Sequence, residues 1–173
     1  MTDSPTFLCP CCSERHDGPP FSYAMPAPAY WNDNLAHEPG SVLGEEQCVI
    51  AGPHYFVRAN LVLPVVDADT EFVWGVWVSL SEQNFQQMER LWDKPERVDE
   101  PPYFGWLSTV LPLYEPSTLN LKTKLRTQLP GTRPLVELEP TDHPLAVEQR
   151  TGITRARVQA IAEQLLHEPA SNG

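Results

Sequence analysis

The segment Glu71–Leu80, EFVWGVWVSL, constrains the fold more than any other stretch of the chain. Successive side chains of an extended strand point to opposite faces. Phe72, Trp74, Val76, Val78 and Leu80 therefore share one face, and Val73, Gly75 and Trp77 the other. Both faces are apolar. Such a strand must lie centrally in a sheet and be covered, at least in part, on each side.

The flanking sequence supplies its neighbours. CVIA and HYFVRANLVLPVV, separated by Gly52-Pro53, predict a hairpin over about 48–51 and 54–66. Ser81 is placed to cap a helix in SEQNFQQMERLWDK, where Phe85, Met88, Leu91 and Trp92 fall at helical spacing before Pro95 stops it. TLNLKTKLRTQ at 118–128 alternates, with Leu119, Leu121 and Leu125 opposite Lys122, Lys124 and Arg126. PLVELE reads as a further strand and PLAVEQR as a short helix. A last helix, about 154–167, lines up Val158, Ile161 and Leu165. The expected fold is α+β: a mainly antiparallel sheet, a helix after the central strand and a C-terminal helix.

A chain of 173 residues suits a single domain. Within it, 1–20 is a cysteine-bearing, zinc-knuckle-like N-terminal piece and 21–47 an irregular connection, one of the stretches punctuated by the 19 prolines. The α+β core spans 48–168 and 169–173 is a tail. The net charge of −11 argues against nucleic acid or an anionic membrane as partner, because phosphate contacts need a basic surface. A basic protein partner is compatible with it. MTDSPTFLCPCC has neither a basic start nor a leader-length apolar run, and no segment reaches the ~18 apolar residues that span a bilayer. The expected location is the cytoplasm, where clustered thiols serve as metal ligands or catalysts more often than as disulfides.

FLCPCCSERH puts Cys9, Cys11 and Cys12 together and His16 shortly after. Cys9 and Cys12 have the i, i+3 spacing with which a knuckle turn presents two thiolates to zinc. His16 and Cys48 are the candidates to complete a tetrahedral, closed, structural site, and Cys11 competes for the fourth position. The alternatives are plain cysteines packed as small apolar groups, or a Cys9–Cys12 redox pair, which lacks its usual strand–helix setting here.

Several blocks in order support a family resemblance. They are C-x-x-C-x-x-x-H at 9–16, Cys48-Val-Ile, Phe56-Val-Arg58, the strand from Phe72 through Ser81 with Asn84-Phe85, and Tyr103-Phe-Gly-Trp-Leu107. Leu121-Lys-Thr123, Gly131-x-Arg133-Pro134 and His143-Pro-Leu145 through Gly152-Ile153 continue the series. The chain resembles the bacterial domain-of-unknown-function family 2199 over nearly its whole length. The resemblance implies no established activity.

Other constellations have plainer accounts beside their functional ones. Trp74, Trp77, Tyr103, Phe104 and Trp106 could line a groove, yet alternating aromatics on strands are usually core, and Gly75 and Gly105 would let a ring pack over bare backbone. Lys122, Lys124 and Arg126, with Arg133 as an extension, could hold an anion, yet cross-strand pairing with Glu137 and Glu139 explains them. His143, near Asp142 and Glu148, fits a helix cap better than acid–base chemistry. Arg58, alone among apolar strand residues, either reaches solvent, pairs with a buried acid or awaits an anionic ligand, and the ion pair is the leading expectation. Arg155 and Arg157 give the last helix the look of a DNA reader, but Glu163, Glu168 and the acidic balance favour packing on the sheet. The expected function is a binding or interaction protein with a structural zinc. The alternative is a small-molecule binder or enzyme with a pocket around Arg58, His143 and the tryptophans.

Overall fold

The two longest strands form the spine of the structure, a computed structural model that describes residues 6–8, 15–17, 19–52 and 54–167. The strands are β1 (Thr6–Leu8), β2 (Arg15–Asp17), β3 (Ser22–Ala24), β4 (Val42–Leu43), β5 (Gln47–Ile50), β6 (His54–Pro64), β7 (Glu71–Leu80), β8 (Tyr103–Leu107), β9 (Lys122–Arg126) and β10 (Leu135–Leu138). The α-helices are α1 (Glu82–Arg90), α2 (Pro144–Thr151) and α3 (Arg155–His167). β6 and β7 pair antiparallel from Tyr55–Leu80 to Pro64–Glu71. The α+β class, the hairpin at Gly52, the capped helix after β7 and the C-terminal helix are as expected.

The sheet closes on itself, which the sequence did not predict. β6 to β10 run as a meander, and β10 returns to pair with β6 at Leu135–Asn60. An odd number of alternating strands leaves the first and last parallel, so the closing pair of this five-strand barrel is parallel. Closure is possible because each long strand divides its second edge between two neighbours. β7 takes β3 at Val73–Gly75 and β8 at Val78–Ser79. β6 takes β5 over residues 54–57 and β10 at Asn60.

Both faces of β7 are covered, as its composition requires. Phe72, Trp74, Val76 and Val78 point into the barrel with Leu61, Leu63, Leu107 and Leu125. Trp77 lies outside it in a second cluster with Cys48 and Phe56, roofed by Met25, Trp31 and Leu43. α2 and α3 add Leu145, Val158 and Ile161 to the inner core, so the last helix packs on the sheet rather than presenting a reading face.

The connection 21–47 is more regular than expected. It holds β3, a 3₁₀ turn at Asp33–His37 and β4, elements too short to display a period. The strand expected over 118–128 is confined to Lys122–Arg126. Its first residues form a turn in which Thr118 accepts from the Leu111 amide and donates to the Thr109 carbonyl. The two glycines lie under backbone and aliphatic groups, not rings. A Cβ on Gly75 would stand 2.9 Å from that of Ala24, and one on Gly105 would stand 2.6 Å from the Ser79 carbonyl. Among the described residues, no helix is long and apolar enough to cross a membrane.

Candidate functional site

The outer face of the barrel carries an aromatic groove. Cross-strand partners share a face, and the register sets Phe56 on β6 beside Ser79 on β7, and Ser79 beside Trp106 on β8. A small side chain between two aromatic ones leaves a trough. Ile50 and His54, themselves register partners, extend it along the hairpin. Tyr30 and Asn120 complete the lining of a cavity of about 620 Å³.

Tyr30 is held over the trough from both sides. The Ala29 amide donates to the Ser108 carbonyl at 2.8 Å, and Trp31 is packed into the outer cluster. The Tyr30 ring stands 6.0 Å from Phe56, and its hydroxyl donates to Asn120 Oδ1 at 2.9 Å. Asn120 has φ +67°, a left-handed conformation that asparagine tolerates better than most residues. Trp106 is 41% exposed and meets the edge of Phe104, which is 49% exposed, at 5.1 Å. These are large apolar surfaces left in water on a sheet face. The Ser79 hydroxyl donates to the Trp106 carbonyl at 3.5 Å, so the groove's serine is engaged with backbone rather than with His54.

A second cavity, about 510 Å³, lies where α1 meets the 128–134 loop and includes Trp92, Arg97 and Arg133 in its lining. Its cations are committed. Arg133 makes a bidentate pair with Glu46, with Nε–Oε2 3.0 Å and Nη2–Oε1 2.9 Å. Arg97, 5% exposed, donates to the carbonyls of Trp92, Gln128, Leu129 and Thr132 and lies over the Trp92 ring. Burial lowers the affinity of Arg97 for its proton, yet four carbonyl acceptors keep the cation satisfied. This is a joint in the scaffold. A third polar cluster joins α2 and α3 to the barrel. Arg157 pairs with Glu148 at 3.0 Å and stands 5.6 Å over Tyr114, whose hydroxyl accepts from the Trp74 indole at 3.3 Å. Burial, and then the Glu148 carboxylate, push the Tyr114 phenol up.

The residues singled out in the sequence scatter. Cys9 and Cys12 lie outside the described residues. His16 is in β2, opposite Phe7 of β1. Cys48 is fully buried against Phe56 and Trp77, and burial pushes its thiol up to about 11. Among the described residues, no three His, Cys, Asp or Glu side chains come close enough to hold a metal ion.

Arg58 corrects the ion-pair expectation. Its guanidinium donates to the carbonyls of Glu45 and Met25 at 3.2 and 3.0 Å, because Arg133 occupies the Glu46 carboxylate. His143 is the expected cap: Nδ1 accepts from the Leu145 amide at 3.1 Å, and Nε2 therefore carries the hydrogen given to the Pro116 carbonyl at 2.7 Å. Neither Arg58 nor His143 lines either cavity. Of the aromatic set, Trp74 and Trp77 are buried on opposite faces of β7, and Tyr103 is buried too. Only Trp106 reaches the groove. Tyr30 and Asn120 are invisible in the sequence as site residues, since only sheet register and loop excursions bring them to Phe56 and Trp106. The lone signal was Phe56 and Trp106 on strands of alternating character.

No curated protein and no solved structure matches this chain. The model of the family described as "Uncharacterized protein conserved in bacteria (DUF2199)" matches residues 8–153. That span takes in both long strands, the groove and α2, and the chain belongs to this uncharacterised bacterial family.

Proposed function

We propose that this protein is a binding protein that seats an apolar, aromatic-bearing partner in the Tyr30–Trp106 groove. The observation that carries this reading is the Phe56–Ser79–Trp106 row, in which a serine opens a trough between two aromatics. Cavities of this size, mostly apolar with a few convergent polar groups, are typical of ligand sites. The Tyr30 hydroxyl, Asn120 and His54 supply those polar groups. Binding is favoured over catalysis because, among the described residues, the groove's serine makes no hydrogen bond to its histidine and meets only the Trp106 carbonyl, at 3.5 Å. A cytoplasmic setting goes with this reading, since thiols kept as metal ligands rather than disulfides need a reducing compartment.

A titration with indole and p-cresol, followed by amide and indole NMR signals, tests the proposal. Shifts are expected at Trp106, Ser79 and Asn120, and Ser79→Phe, which fills the trough, abolishes them. Shifts scattered over the surface, or unchanged in Ser79→Phe, overturn it.

A structural zinc on Cys9, Cys12, His16 and Cys48 is a separate proposal. It rests on the spacing of the first three, with β1 and β2 flanking the segment that carries Cys9 and Cys12, and on Cys48 in β5 as the remaining thiol.

A further inference from the structure

The groove does not end at Trp106. β9 continues the same outer face, with Lys122 the register partner of Trp106 and Lys124 that of Phe104. Alternation places Arg126 on this face too. An acidic chain with only 12 lysines and arginines thus gathers three of them on one strand face, directly beside its exposed aromatics. β10 presents Glu137 opposite Lys124, and the Glu139 amide bonds to the Lys122 carbonyl. The carboxylate of Glu137, however, goes to Arg126 at 3.1 Å. Lys122 and Lys124 make no ion pair within 4 Å among the described residues.

We infer that the β8–β9 face and the groove together bind an acidic peptide segment whose aromatic side chain fills the trough while flanking carboxylates meet Lys122 and Lys124. This rests on the groove reading and names its partner class. The geometry suits an extended chain. Residues two apart on one strand face stand roughly 7 Å apart, as do alternate side chains of a bound extended peptide. The Trp106–Lys122 and Phe104–Lys124 pairs repeat at that spacing. The net charge of −11 repels the same peptide elsewhere on the surface, so the lysines select both the site and the sign of the partner.

The test uses acetylated, amidated Asp-Glu-Trp-Glu-Asp as probe, with Asn-Gln-Trp-Gln-Asn and Lys-Arg-Trp-Arg-Lys as controls. Affinity is measured by calorimetry on the full chain, and the site by NMR. At low salt the acidic peptide should bind about tenfold more tightly than the neutral one, and the basic one should be weakest. The advantage should vanish at about 0.5 M salt, where screening is short-ranged. The double variant Lys122→Gln, Lys124→Gln, on exposed positions that keep the fold, should bring the acidic peptide to the neutral level. Equal affinity for acidic and neutral peptides, or an unaffected double variant, overturns the inference while leaving the groove reading intact. No binding of any peptide, with Trp106 unmoved, overturns both. Binding only to phosphatidylglycerol vesicles, or loss of the free face through self-association in sedimentation, overturns the peptide inference in favour of a membrane or a second copy.

Discussion

Arg58 and Trp77 converge on one acceptor: the guanidinium and the indole N–H each donate to the Met25 carbonyl at 3.0 Å, with the guanidinium carbon 5.5 Å from the indole ring centroid. The two residues are register partners on β6 and β7, so the sheet itself aims both donors at the strap that roofs the outer cluster. Arg58 is thus a clasp for residue 25, and the strap beyond it carries Tyr30 to the groove.

The shared acceptor predicts non-additivity. Trp77→Phe leaves the Met25 carbonyl bonded to Arg58 and should cost about 1 kcal/mol. Arg58→Met removes two hydrogen bonds from a charged donor and should cost about 1.5–3 kcal/mol. The double variant strands the carbonyl, so urea denaturation should show a loss exceeding the sum by about 0.5 kcal/mol or more. Strict additivity would mean that Met25 finds another donor.

Gly105 predicts a steric limit at the β7–β8 junction. An alanine there puts its Cβ 2.5 Å from Val78 Cγ1 and 2.6 Å from the Ser79 carbonyl oxygen. Backbone cannot rotate away as a side chain can, so Gly105→Ala should lower stability by at least about 1–3 kcal/mol. It should also shift the amide signals of Ser79 and Trp106, the groove floor. A thermally unchanged variant would refute this packing.

His143 should behave as a cap and not as a catalytic base. His143→Ala loses the bond to the Leu145 amide and should cost about 0.5–2 kcal/mol. His143→Asn should recover most of that loss, because asparagine caps well, while failing to replace the link to Pro116. Differential scanning calorimetry of the pair decides this, with the order wild type, Asn, Ala expected.

Arg97 tests how a buried cation that makes no ion pair among the described residues is held by four carbonyls and the face of the Trp92 ring. Lysine offers one point charge in place of a fork and cannot reach four carbonyls spread over Trp92, Gln128, Leu129 and Thr132. Arg97→Lys should cost about 2–4 kcal/mol in chemical denaturation. Hydrogen exchange in the 128–134 loop should accelerate in step.

The zinc proposal has a direct measurement. Purified protein should hold close to one equivalent of zinc by elemental analysis, as a closed four-ligand site requires. Cys9→Ser, Cys12→Ser and Cys48→Ala should each lower that content, and a chelator should lower the melting temperature. Fully folded, metal-free protein would sink the assignment, and zinc retained in Cys48→Ala would leave Cys48 as core alone.

The class of fold was legible because it rests on local patterns. β7 declares its two apolar faces in ten residues, Ser81 announces its helix, and Val158 and Ile161 mark the buried side of α3. His143 was readable as a cap from its place before a proline-initiated helix. Barrel closure was not readable, since it hangs on a parallel pairing of Leu135 with Asn60 that leaves no periodic trace. Nor was the candidate site. Ser79, Phe56 and Trp106 become neighbours only through the register of three strands, and Tyr30 and Asn120, 90 positions apart, meet through a single hydrogen bond. Arg58 likewise looked like half of an ion pair until Arg133 was found on Glu46. Sequence alone determined which strand is central and which helices pack on the sheet, because hydrophobic periodicity is a local property. Tertiary structure decided where the barrel closes and which side chains share a groove, because register and closure join residues that no local pattern connects.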